Sequence, residues 1–195
     1  MSEELDLYRI FLDTNVVTFY PFLAQPDSFL PSQDRKKPYT FTVLMPVVRE
    51  LEAIKDEHFS AGQRDRARAF LTRLEDADGD AGVNLTSKSR LQLYWQEPNE
   101  SMLRDSGHNL NSADDRLIAA AFWCQRYGSK ISALISADVG MRVRARHQLN
   151  GCHVYGPDEK LRLKRDEDFN LPQLMKATIK ELARELADAL RQHPS

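Results

Sequence analysis

Five acidic residues occupy one kind of place in this chain, although they are scattered along it: Asp13, Glu50, the adjacent pair Asp114 and Asp115, and Asp138. Asp13 closes the apolar run Tyr8-Arg9-Ile10-Phe11-Leu12, and Asp138 follows Ile131-Ser132-Ala133-Leu134-Ile135-Ser136. Glu50 and Asp114 fall in the first turns of segments with helical periodicity. If the apolar runs are strands of a parallel sheet, all these acids lie at its carboxyl edge, where ligands bind in such sheets. Carboxylates converging there without cations repel one another, and a hard divalent cation with oxygen ligands relieves the repulsion. The chemistry to expect is phosphodiester hydrolysis by magnesium or manganese, with water activated by the metal.

Each acid also has a plainer reading. Asp13 suits the N-cap of a following helix, although a carboxylate directly after three apolar residues is costly to bury unless something ligates it. Glu50 stands three residues after Val47 and four before Ile54, on the side of the apolar stripe; favourable interaction with the helix dipole is its plain alternative. Asp114 stands three, four and seven residues before Leu117, Ile118 and Ala121, which points it inward. Asp115 stands three residues after Ser112, so a capping box explains it. Asp114 is therefore ranked the inner ligand and Asp115 an outer one. Asp138 again suits an N-cap. Arg142 and Arg144 follow it, and a basic helix beside an acidic pocket suits a phosphate backbone. Lysines and arginines in 35–37 and 64–73 are further candidates. None of the five histidines lies in the acidic motifs, which argues against metal-free ribonuclease chemistry on a histidine pair.

The elements that position these acids are legible in outline. Tyr8–Leu12 reads as a strand followed by a helix from Asn15 to about Leu23, with Pro21 ending or kinking it. Residues 24–38 read as a loop. Phe41–Leu44 reads as a strand leading into a helix opened by Pro46. Ser60 and Gln63 form a capping box for a helix to about Ala77, with Ala67, Phe70, Leu71 and Leu74 inward and its arginines outward. Val83–Trp95 has strand-like stretches. Ser112 caps a helix, Ile131–Ser136 is a strand, Val139–Leu149 a helix and Cys152–Tyr155 a last strand. Short apolar strands alternating with helices predict a mostly parallel sheet covered on both faces.

The chain has 195 residues, 42% of them hydrophobic, with a net charge of -2 and a pI near 6.2. That suits one domain with a real core plus an appendage, and any nucleic-acid binding must come from local basic patches. Cys124 and Cys152 have no metal or redox spacing and read as reduced, small apolar residues. No signal peptide or membrane span is visible, so a cytoplasmic protein is expected. The composition shifts after Gly156-Pro157. Residues 1–157 read as the catalytic domain, and 158–195 as a charged linker with an amphipathic C-terminal helix carrying Leu174, Met175, Ile179, Leu182, Leu186 and Leu190 on one face. That face must be buried on its own domain, on a second copy in a homodimer, or on a partner.

Taken together, F-L-D-T-N at 11–15, P-x-x-x-E-L at 46–51, N-S-A-D-D-R-L-I at 111–118 and L-I-S-A-D at 134–138 resemble the PIN-domain nucleases over about residues 8–155. In the fourth motif the family commonly has Asn before the acid, where this chain has Ala137; Ser136 matches. The resemblance implies a three-layer α/β/α sandwich and metal-dependent cleavage of RNA, in some members of DNA. It implies Asp13, Glu50, Asp114 and Asp138 as catalytic metal ligands, with Thr14, Asn15 and Ser136 orienting them or the nucleic acid. It leaves open a toxin held by an antitoxin-like protein, a stand-alone RNA-processing nuclease, and a PIN-like scaffold or RNA-binding module of weak activity. A haloacid-dehalogenase-type phosphatase would need a second Asp at the position of Asn15.

Overall fold

The computed structural model describes residues 8–32, 34–36, 38–56, 60–77, 82–95, 101, 112–127 and 131–163. Five helices and six strands follow in the order β1 (Tyr8–Leu12), α1 (Thr14–Phe19), β2 (Tyr39–Leu44), α2 (Met45–Asp56), α3 (Ala61–Glu75), β3 (Val83–Asn84), β4 (Ser89–Tyr94), α4 (Ala113–Tyr127), β5 (Ile131–Ile135), α5 (Val139–Gln148) and β6 (His153–Tyr155) among the described residues. The strands form one sheet in the order β3-β4-β2-β1-β5-β6. Every pairing is parallel except β3 with β4.

That order contains a reversal. From β1 the chain steps outward through β2 to β4, then returns to the other side of β1 for β5 and β6. Right-handed crossovers place helices on one face while the chain moves one way and on the other face when it reverses. α1, α2 and α3 touch one another, α4 touches α5, and α2 also meets α4. The result is the three-layer α/β/α architecture. The point of reversal lies between β1 and β5, which is where open α/β sheets bind ligands.

Register sets the site. The β1–β5 ladder shifts between Arg9 and Ile10, after which Ile10, Phe11 and Leu12 pair with Ala133, Leu134 and Ile135. Asp13 and Ser136 are therefore the next residues out on neighbouring strands, and the Asp13 amide donates to the Ile135 carbonyl at 3.0 Å. Beneath them the sheet is fully covered: Ile10, Phe11, Leu12, Phe41, Val43, Leu134 and Ile135 are completely buried.

The helices begin and end for local reasons. α1 stops at Phe19, four residues earlier than the periodicity alone suggests, because Pro21 cannot continue it. Arg66, expected to face outward on α3, is instead buried, and its Nε donates to the Thr18 carbonyl at 2.5 Å. It satisfies a carbonyl at the end of α1, and desolvation lowers its pKa. α3 opens with the expected capping box, Ser60 accepting from the Gln63 amide and Gln63 from the Ser60 amide. Residues 24–38 are less of a loop than their composition suggests. They contain short 3-10 turns, and Phe22 and Phe29 pack on each other with ring centroids 5.4 Å apart while Phe22 meets Phe41 and Phe70.

Past Pro157, the first residues of the expected linker stay on the domain. Glu159–Leu161 forms a 3-10 turn, Tyr20 donates to Glu159 at 3.0 Å, and the Leu163 amide donates to the Phe19 carbonyl at 2.9 Å. The C-terminal helix expected over 171–191 lies outside the described residues. No described helix is long and apolar enough to cross a membrane.

Candidate active site

Asp13 ends β1 and precedes α1 with extended backbone angles, the position of an N-cap. It makes no side-chain cap hydrogen bond. Its Oδ2 instead accepts from the Ser136 hydroxyl at 2.5 Å and from Asn15 Nδ2 at 2.8 Å. The plain capping reading therefore does not apply, and a carboxylate only 5% exposed is left to be explained. Burial pushes its pKa up to about 6; the Ser136 hydrogen bond opposes this, and the nearby charges of Glu50 and Asp114 raise it further.

Asn15 and Ser136 make this arrangement rigid. The Asn15 amide oxygen accepts from the Ala137 backbone at 2.9 Å while its nitrogen donates to Asp13. The Ser136 hydroxyl donates to Asp13 and accepts from the Asp138 amide at 3.0 Å. Two neighbouring strand ends are thus tied together through the carboxylate.

Glu50 comes from the second turn of α2 rather than its first, because that helix begins at Met45. Its Oε2 accepts from the Thr14 hydroxyl. Burial raises its pKa, the Thr14 bond opposes this, and the charge of Asp114 adds to the rise. Asp114, in the first turn of α4, thus faces both Asp13 and Glu50. The expectation that Asp114 is the buried member of its pair and Asp115 the solvated one is not what the burial shows: their side chains are 39% and 18% exposed. The Asp115 amide does donate to Ser112 Oγ, at 3.4 Å. Asp114 is thus the more exposed of the two and Asp115 the more buried.

Asp138 behaves differently. Its Oδ1 accepts from the Met141 amide at 2.7 Å, capping α5. The structure thus brings Asp13, Glu50 and Asp114 to face one another, and turns Asp138 to its own helix. Among the described residues, no group of three or more Asp, Glu, His or Cys side chains is arranged to hold a metal ion as it stands.

Several of the basic residues expected to hold phosphate are engaged within the domain. Arg142 donates to the Ser136 carbonyl at 2.8 Å and lies against Gly156, where an added Cβ would come within 3.1 Å of its guanidinium. Arg35, Arg68 and Arg73 donate to the carbonyls of Leu30, Lys55 and Asn84. Arg144 reaches from α5 to α4, pairs with Asp114, and places its Nε 3.7 Å from Asp115 Oδ1. Sequence reasoning missed this last contact. The two sites are thirty residues apart, and no periodicity links them. Neither Cys124 nor Cys152 lies in a disulfide, and burial pushes the Cys152 thiol up to about 12, which disfavours its thiolate.

The oxygen-only donor set of Asp13, Glu50 and Asp114 suits a hard divalent cation, whose charge would offset the burial that raises the pKa values of Asp13 and Glu50.

A family model described as a PIN domain matches residues 10–150. None of the curated proteins matches the chain. Among solved structures, one similar to this chain is a domain of a functionally unknown protein from Methanocaldococcus jannaschii DSM 2661, at 17% identity and a TM-score of 0.45, covering 84% of this chain and 99% of that one. That likeness is too distant to bear on function.

Proposed function

The chain belongs to the PIN-domain family, whose members are generally nucleases, and from that premise we propose that it is a magnesium- or manganese-dependent endoribonuclease. One observation carries the reading. Asp13 does not cap its helix, and it faces Glu50 and Asp114 at the sheet's switch point with its acidity weakened by burial and by their charges. A buried acid held against two other acids is unfavourable by itself, and a cation makes it useful.

A divalent cation bound there supplies charge neutralisation at the scissile phosphate and lowers the pKa of a water molecule. The protein's part is orientation. Ser136 and Asn15 fix the Asp13 carboxylate by loading one of its oxygens, and Thr14 fixes Glu50. Three donors of a rigid scaffold thereby hold two acids in place before substrate arrives, so little reorganisation remains for the chemical step.

RNA is the substrate of this reading, with DNA as the alternative polymer. The acids are retained, which favours an active nuclease over a scaffold or binding module. Two biological settings suit it: a stand-alone RNA-processing enzyme, and a toxin restrained by an antitoxin-like protein. A small reading frame beside the gene separates them. A reducing, cytoplasmic location suits this reading, in which neither cysteine lies in a disulfide.

The test is Asp13→Asn. The amide keeps an oxygen for Ser136 and Asn15 but loses the charge, so RNA cleavage in magnesium or manganese should disappear while the fold persists. Cleavage by that variant at the parental rate overturns the mechanism.

A further inference from the structure

Arg144 does not serve as the open phosphate contact that its place on a basic helix suggests. Its guanidinium spans from α5 to both acids at the start of α4, pairing with Asp114 and approaching Asp115. The side chain is 40% exposed overall, yet its Nε is buried with no hydrogen-bond partner. A buried donor left without an acceptor costs free energy, so the geometry favours a second arrangement in which that N–H is satisfied. Asp114, the acid it engages, is the same one whose charge reaches Asp13 and Glu50.

We propose that Arg144 is the resident counter-ion of the acidic cluster, engaging Asp114 in competition with the divalent cation, and that cation binding releases the guanidinium for a phosphate of the substrate. The inference rests on the nuclease reading only in naming a divalent cation as the competitor. It explains why, among the described residues, no three acids stand ready to hold a metal: the third is held by an internal cation. It also explains why an arginine is suitable. The guanidinium stays charged at any working pH, and its planar fork fits one carboxylate, two carboxylates or a phosphate with equal ease. Arg142 cannot replace it, because its own guanidinium is committed to the Ser136 carbonyl and packed against Gly156.

The competition has a signature that a merely structural role would not produce. Removing the charge should improve cation binding and worsen RNA binding together. In Arg144→Gln, Mn2+ binding followed by electron paramagnetic resonance should tighten roughly tenfold, the scale on which one adjacent opposite charge changes a carboxylate's affinity for a cation. The KM for RNA should rise in the same variant. Arg144→Lys should return Mn2+ affinity to within about twofold of the parent, because the competition is one of charge. In the unaltered protein, the Arg144 Nε–H resonance, slow to exchange because it is buried, should shift and exchange faster as Mg2+ is added.

Mn2+ binding no tighter in folded Arg144→Gln than in the parent overturns the proposal. So does an Arg144 Nε–H unmoved at Mg2+ saturation, a result that stands even if the glutamine variant fails to fold. If the parent binds no Mn2+ at millimolar concentration, the proposal and the metal-dependent reading fall together. If Mn2+ binds as described but Asp13→Asn still cuts RNA at the parental rate, the metal mechanism at Asp13 fails and the competition stands.

Discussion

Asp13 and Asp138 carry the same carboxylate at the same kind of junction, a strand end leading into a helix, and their surroundings put them to opposite uses. Asp138 caps α5 through the Met141 amide, whereas Asp13 is taken from its helix by Ser136 and Asn15 and buried facing two acids. Burial of Asp13 has a consequence for stability with a definite sign. Its pKa is raised in the folded state, from an ordinary 3.8 to about 6. The folded state therefore holds this proton more tightly than the unfolded chain does. The contribution to stability is fully present below about pH 4 and is lost as the pH rises through about 6. At 1.36 kcal/mol per pKa unit, the loss at neutral pH is about 3 kcal/mol, and the raised pKa of Glu50 adds a loss of the same sign. Asp13→Asn should accordingly unfold at a higher temperature than the parent at pH 7.5 and show a much smaller difference at pH 4. Thermal unfolding at the two pH values checks this, and equal shifts at both would mean that Asp13 is not the cause. A second residue-scale outcome concerns the pair on α4. The charge of Asp114 acts on Asp13 and Glu50, whereas that of Asp115 is not among the causes of their shifts; Arg144 pairs with Asp114 and only approaches Asp115. Asp114→Ala should lose more RNA cleavage than Asp115→Ala in one assay, and the reverse order would move the inner ligand to Asp115.

At the scale of elements, what could be read from the chain was whatever local pattern determines. The apolar run ending at Asp13, the Ser60 and Gln63 capping box, and the Ser112 cap all recur in the structure because each depends on residues a few positions apart. The acids' common edge was legible for the same reason, since strand ends and helix starts are local. Three things were not. The shift of the β1–β5 ladder, which levels Asp13 with Ser136, belongs to a pairing more than a hundred residues apart in sequence. The burial of Arg66 depends on where α1 happens to end. The packing of Phe29, within 24–38, against Tyr20 and Phe22 is hidden behind a loop-like composition. The turn into β3 gives this scale its own test. Gly82 has φ +66, and an added Cβ would lie 2.6 Å from the Leu91 carbonyl oxygen of the paired strand, whereas Gly151, at φ +71, has open space around that position. Both alanine variants place a side chain in left-handed backbone, a cost of about 1 kcal/mol. Gly82→Ala must also displace a strand, bringing its total to roughly 2–3 kcal/mol. Chemical denaturation of the two variants should rank them in that order, and equal losses would show that backbone conformation alone sets the cost.

For the whole molecule, the open question is how the chain beyond Pro157 relates to the catalytic domain. The described part, 158–163, is fastened to the end of α1: Tyr20 to Glu159, the Leu163 amide to the Phe19 carbonyl, and Arg162 over the Phe19 ring with its guanidinium 5.5 Å from the centroid. Two hydrogen bonds and one cation–π contact at a partly exposed surface amount to about 2 kcal/mol. A chain cut after Pro157 should be less stable by about that much than one cut after Phe169. The apolar face of Leu174, Met175, Ile179, Leu182, Leu186 and Leu190 beyond it demands cover, since a bare patch of that size is rare on a monomer and an isolated helix of that length is marginal in water. We expect the cover to be a second copy. The fastening at 158–163 holds the chain beside α1 as far as Leu163. Light scattering should therefore give the full-length protein twice its chain mass and the chain cut after Phe169 a single mass, with unfolding of the shorter chain independent of concentration. A monomer mass for both would remove the dimer and leave the helix packed on its own domain; a monomer that dimerises only after the cut would mean that the helix shields a surface instead of forming one.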